Sequence, residues 1–231
     1  MRSLLLGISL FALAVACFKN PVIPNQDVPD PGAIRFNGEY YVVTTGGDGS
    51  GNRFPIHKSS DLQSWVQVGF AISHLHIPSW VGTPNTDFWA PEIHILQSGK
   101  FHLYFTAREH PSGILCIGVA TADSILGPYI DSGKPIIKQT TVGSIDATVF
   151  KAPDGNYLIW KDDGNGNVPK IPTWIWAVKL TSDGLGTTGE WTKLIKNDLP
   201  WEGDLVEGPW IFGFQGYYYL FYSANGYCGP G

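Results

Sequence analysis

Four stretches of this chain repeat one form: an apolar strand, a turn closed by glycine, and an aromatic-rich strand. They are AIRFNGEYYVVTT from Ala33, IHILQSGKFHLYFTA from Ile93, TVFKAPDGNYLIWK from Thr148 and WIFGFQGYYYLFYSA from Trp210. The turn glycines Gly38, Gly99, Gly155 and Gly216 lie 61, 56 and 61 residues apart. Self-similarity at so regular an interval points to a repeat architecture, in which one supersecondary unit is copied along the chain. Each unit reads as a β-hairpin. Asn37-Gly38 and Asp154-Gly155 are turn dipeptides that favour positive φ, and the flanking Val, Ile, Tyr and Phe suit paired strands.

The first three units continue into a second half, through Ser60-Asp61 to Trp65, Ala122-Asp123 to Tyr129 and Ser182-Asp183 to Trp191. Four antiparallel strands per unit make a propeller blade. The fourth unit lacks this half, because its matching aspartate falls near position ~240 by extension of the repeat and the sequence stops at Gly231. The expected fold is therefore all-β, with about three and a half blades present, whereas closed propellers carry about four to eight. The competing architecture is a β-sandwich whose hairpins are alike by chance. With strand edges exposed on blades one and four, the 231-residue chain by itself is expected to be poorly soluble or inactive.

Composition agrees with short strands and tight turns: 28 Gly, 17 Pro, 9 Trp, 10 Tyr and 12 Phe. Charged residues make up 15% and the formal net charge is -5, which leaves no electrostatic footprint for nucleic acid. Arg2, the apolar run Leu4 to Ala16 and the small-x-small end Ala14-Val15-Ala16 form a secretory signal, too short to span a membrane. Residues 1–19 are assigned to it and residues 20–231 to one domain. After cleavage the chain has no integral membrane segment and is expected outside the cell. Cys17 follows the cleavage point. Cys116 and Cys228 have no metal-ligand or redox spacing, and whether they pair is not legible from sequence. The six histidines show no paired metal spacing.

Three acids fall at matched places in the repeat. Asp30 lies 8 residues before Gly38, Asp146 lies 9 before Gly155, and Glu207 lies 9 before Gly216. Each is expected at the start of a blade's first strand, and in a propeller those strand ends meet at one mouth of the central channel. Clustered carboxylates are costly unless separated, hydrated or partly protonated, so their convergence points to function. Glycoside hydrolysis uses such a set: one carboxylic acid protonates the leaving oxygen, another carboxylate activates water or attacks the sugar, and a third raises the acid's pKa. Singly, each aspartate also fits a turn-capping role. In blade two the same place holds Ala90-Pro91 after Phe88-Trp89, and Trp89 offers an indole face on which a sugar ring stacks.

At these residues the sequence resembles glycoside hydrolase family 43, the arabinanases, α-L-arabinofuranosidases and β-xylosidases built on a five-bladed β-propeller. The motifs are NPVIPNQDVPDPGAIRFNGEYYVV from Asn20, FWAPEIH from Phe88, GSIDATVF from Gly143, WKDDGNG from Trp160 and VEGPWIFGFQGYYYLFYSANGY from Val206. The resemblance implies Asp30 as general base, Asp146 as the acid that tunes and orients the proton donor, Glu207 as general acid and Trp89 as a substrate contact. It implies inversion at the anomeric carbon, with base and acid roughly 6.5–9.5 Å apart to admit a water. The implied substrates are arabinose- or xylose-containing polysaccharides or oligosaccharides. No cofactor is required. In the family a calcium ion often sits on the propeller axis with a histidine from the region beyond Gly231. A non-catalytic carbohydrate-binding propeller is the alternative function. The five-bladed fructosidase type is disfavoured, since neither its Asn-Asp-Pro-Asn-Gly nor its Arg-Asp-Pro motif occurs.

Overall fold

The computed structural model describes residues 19–82, 87–96 and 99–227. The expected signal peptide (save Lys19), Cys17 and Cys228 lie outside the described residues. The strands form antiparallel meanders in chain order. The first sheet holds β1 (Gly32–Phe36), β2 (Glu39–Val43), β3 (Arg53–Ser59) and β4 (Val66–Ile72). The second holds β5 (Trp89–Ile95), β6 (Phe101–Arg108), β7 (Leu115–Ala122) and β8 (Ile130–Asp131). The third holds β9 (Ser144–Ala152), β10 (Gly155–Asp162), β11 (Trp174–Leu180) and β12 (Thr187–Lys196), and the fourth β13 (Val206–Phe214) and β14 (Tyr217–Ala224). The described residues thus hold three complete blades and the inner half of a fourth, as the repeat predicts. The aspartates of the second halves sit in the turns before the outermost strands. Asp61 accepts the Gln63 and Ser64 amides at 2.8 Å, and Asp183 accepts the Leu185 amide at 3.0 Å.

The aromatic-rich second strands are explained by burial on both faces. Strand side chains alternate between faces. In β6, Leu103 and Phe105 join Phe54, Ile56 and Phe88 between blades one and two, while Tyr104 joins Leu158, Trp160 and Val178 between blades two and three. In β10, Leu158 and Trp160 face blade two, and Ile159 faces Val206 of blade four. The fourth sheet keeps the same alternation. Phe150 meets Tyr218 edge-on at 4.9 Å, whereas Trp210, Phe212, Tyr219 and Phe221 are exposed among the described residues. Cys116 is buried as a free thiol, pushed up to about 12 by burial. No described helix is long and apolar enough to cross a membrane.

The first strands β1, β5, β9 and β13 surround an open channel of about 540 Å³, lined by Arg35, Glu92, His94, Lys151 and Phe212 among others. Blades one and two approach closely at its rim. A Cβ on Gly32 would stand 2.4 Å from the Pro91 carbonyl oxygen, so backbone itself would have to shift. Gly32→Ala is expected to destabilise the protein by roughly 1–3 kcal/mol, read as a lower urea midpoint with unchanged slope. An unchanged midpoint would mean that the two blades are free to part there.

Candidate active site

Hairpin geometry places the acids. Blades one and four close with two-residue turns, Asn37-Gly38 and Gln215-Gly216, all four residues at positive φ. In blade three the turn is Pro153-Asp154, and Gly155 is already paired with Ala152. Gly155 therefore stands one residue further along than Gly38 and Gly216, and counting from it displaces blade three by one. With strand ends aligned, Asp30 (φ 51°), Asp146 (φ 58°) and Gly208 (φ 59°) are equivalent, and Ala90 (φ 43°) holds the same place in blade two. Each of β5, β9 and β13 carries a register shift at this point, a bulge of the kind that re-aims a side chain. Asp30 and Asp146 share one position, as expected. Glu207 does not: it stands one residue earlier, in the place that Trp89 occupies in blade two. The expectation of three equivalent acids is corrected to two equivalent acids and a neighbour.

The second strand of each blade braces the next blade. Seven residues past the turn glycine stand Thr45 and Thr106, and Lys161 is the counterpart once the shift at Gly155 is allowed for. The Ala90 amide donates to Thr45 Oγ1 at 2.8 Å. The Asp146 amide donates to Thr106 Oγ1 at 3.3 Å. Lys161 Nζ donates to Glu207 at 3.2 Å and to Asp163 at 3.3 Å. Thr45 also donates its hydroxyl to Asp30 Oδ2 at 2.6 Å. Because the Thr45 oxygen is taken by the Ala90 amide, its proton is directed at Asp30, which fixes that carboxylate.

Asp146 is the electrostatic centre of the cluster. Burial raises its pKa first; Lys161 pulls it back, Glu207 raises it, the Gly208 amide at 3.1 Å lowers it, and Asp30 raises it. The result is a carboxyl pushed up to about 7. All three acids therefore lie within electrostatic reach of one another. Asp30 is exposed, and Asp146 and Glu207 are half-buried, so the mouth they form is open to solvent. Beside it lies a pocket of about 340 Å³ lined by Thr45, Gly46, Gly47, Arg53, Asp87, Phe88 and Trp89. Trp89 thus joins the wall next to Asp30. Sequence reasoning missed Thr45 and Lys161, although the repeat marks both.

The raised pKa of Asp146 makes stability depend on pH. Unfolded, an aspartate titrates near ~3.9; folded, this one holds its proton to about 7. Between those values the native state binds more protons than the unfolded state, so stability falls as pH rises. Asp146→Asn is expected to abolish that slope. It should gain on the order of 2 kcal/mol relative to wild type between pH 4 and 8, after allowance for partial exposure. Parallel curves of urea midpoint against pH would contradict the placement of the proton on Asp146.

Glu92 and His94 pair at 3.1 Å against the channel, and among the described residues no group of three or more His, Cys, Asp or Glu is placed to hold a metal ion together.

Residues 18–230 match the sequence model of the family described as "Glycosyl hydrolases family 43". The chain is 28% identical to an extracellular endo-α-(1→5)-L-arabinanase of Thermotoga petrophila, over 98% of this chain and 52% of that protein; it thus spans about half the length of that relative. It superimposes on the crystal structure of a thermostable family-43 glycoside hydrolase with a TM-score of 0.80 at 28% identity, covering 91% of this chain and 68% of that one. An endo-1,4-β-xylanase from Bacteroides thetaiotaomicron is 32% identical, with a TM-score of 0.71 over 87% of this chain and 64% of that one.

Proposed function

The chain belongs to family 43 of the glycosyl hydrolases, and from that premise we propose that it is an inverting glycosidase acting on arabinose- or xylose-containing plant polysaccharides or oligosaccharides. The observation that carries the proposal is the cluster itself: two positive-φ aspartates and a neighbouring glutamate, from three blades, electrostatically coupled at one channel mouth. Asp30, exposed and oriented by Thr45, is the base that deprotonates the attacking water. Glu207, held by Lys161 across the blade boundary, delivers the proton to the leaving oxygen. Asp146 lies between them and sets the charge against which Glu207 takes and gives that proton. Trp89 contributes the wall on which the sugar rests. These roles need no cofactor, and they follow the pairing of acid and base that inversion requires.

Arabinan and xylan are both represented among the similar proteins, so both belong in the test. Secretion after removal of the N-terminal signal accords with the extracellular arabinanase relative and brings the protein to polymeric substrate. In its full natural length the protein should release sugars from arabinan, arabinoxylan or xylan, or phenol from aryl α-L-arabinofuranosides or β-D-xylosides. Binding of these sugars without any product over long incubation would overturn the enzymatic reading in favour of a carbohydrate-binding propeller.

A further inference from the structure

Away from the three acids, one surface combines aromatic faces with positive charge. Trp174 and Trp176 alternate with buried Ile175 on β11, on the side that packs toward blade two. Trp176 stacks on buried Trp160 at 6.2 Å, and half-exposed Trp191 stands edge-on to both, at 5.0 Å from Trp160 and 6.2 Å from Trp176. The neighbouring strand β12 is bulged: Ile175 pairs with Ile195, but Trp176 pairs with Lys193. The extra residue, Leu194, brings both Lys193 and Lys196 onto the tryptophan side. Lys193 Nζ lies 4.3 Å from the Trp174 ring centroid and 5.0 Å from that of Trp176. Lys196 Nζ lies 5.6 Å from the Trp174 centroid.

Among the described residues neither ammonium forms a salt bridge. Asp162 is engaged by the two tryptophans: it accepts the Trp174 amide at 2.9 Å and the Trp176 indole at 3.0 Å. Asp162 directly follows Lys161, which holds Glu207. The Trp174 end of the ladder therefore lies toward the same end of blade three as the acids.

We propose that Trp174, Trp176, Lys193 and Lys196 form a second carbohydrate-binding surface, and that it takes a polysaccharide bearing sugar carboxylates. Indole supplies a flat apolar face for one side of a sugar ring. The ammonium of Lys193 lies over the Trp174 and Trp176 rings; a sugar ring that takes its place on the indole moves it aside to meet the carboxylate that the sugar carries, a charge-assisted contact. A neutral pentose polymer would leave both lysines without a counterpart. Nucleic acid also offers stacking and negative charge, but this chain has 15 Lys and Arg against 20 Asp and Glu, and two ammoniums are no track for a phosphate backbone. The surface needs no catalysis, so it stands or falls apart from the proposed hydrolysis.

The test is calorimetry on the full chain carrying Glu207→Gln. The probes are a galacturonic acid hexamer, its methyl ester, dextran sulfate and a single-stranded oligonucleotide. The acidic hexamer should bind, more weakly at high salt, and about tenfold more tightly than its ester. Lys193→Gln with Lys196→Gln should cost about tenfold in affinity for the acid only, with circular dichroism and aryl glycoside kinetics (measured with Glu207 intact) unchanged. Trp174→Ala should weaken both hexamers; if that variant fails to fold, the lysine pair decides alone. No binding, equal binding by dextran sulfate or the oligonucleotide, or affinity indifferent to the lysine pair would overturn the proposal.

Discussion

Replacing Glu207 by glutamine is expected to lower turnover on oligosaccharides by ~10²–10⁴-fold, the usual worth of a positioned general acid. The loss should shrink steeply as the leaving group becomes more acidic, because a nitrophenolate departs without a proton and a sugar alkoxide does not. The acid's position rests on two contacts that cross blades. Lys161 holds the Glu207 carboxylate at 3.2 Å, and Asp146 faces it closely enough to have its own pKa raised by it. The glutamine keeps the shape of the side chain and removes its proton chemistry together with its charge opposite buried Lys161. Rates of Glu207→Gln on a series of aryl arabinofuranosides or xylosides, plotted against phenol pKa, give the check. A loss equal for every leaving group would remove Glu207 from the acid's role.

The second large effect is expected at Asp30. Asp30→Asn removes the proposed base, and its loss of ~10²–10⁴-fold should be the same for good and poor leaving groups, since activation of water is needed in every case. Adding azide should restore part of the rate, because azide attacks without being deprotonated; the product is the glycosyl azide of inverted configuration. Thr45 bears on the same point. Its hydroxyl is pinned between the Ala90 amide and Asp30, so the carboxylate has one oxygen fixed and the other left for water. An Asp30→Asn enzyme within a few fold of wild type would leave Asp30 as a turn residue.

Much of this fold was legible because a blade repeats its physics as well as its sequence. Strands such as Phe101–Arg108, which bury seven of their eight residues, need cover on both faces, and a stack of sheets provides it. The acids were legible through their distance from the turn glycines. The same count concealed the true register, since it assumed one turn type throughout. Pro153-Asp154 closes blade three a residue earlier than Asn37-Gly38 closes blade one, and Glu207 moved out of equivalence as a result. Lys161 was not found because its meaning comes from the next blade, where Glu207 lies 46 residues on. The pairing of Lys193 and Lys196 beside two tryptophans was hidden for a related reason: only the bulge at Leu194 puts residues of odd separation on one face.

Base and acid on opposite sides of the sugar, with a water between, are the centre of this account. The most direct test is proton NMR of the first sugar released by the protein in its full natural length, recorded before mutarotation blurs the anomers. Hydrolysis of an α-L-arabinofuranoside should first yield the β anomer of arabinose, or of a β-D-xyloside the α anomer of xylose. First appearance of the retained anomer would contradict the account, because it would require a covalent sugar–enzyme intermediate and leave Asp30 no role as a base acting through water.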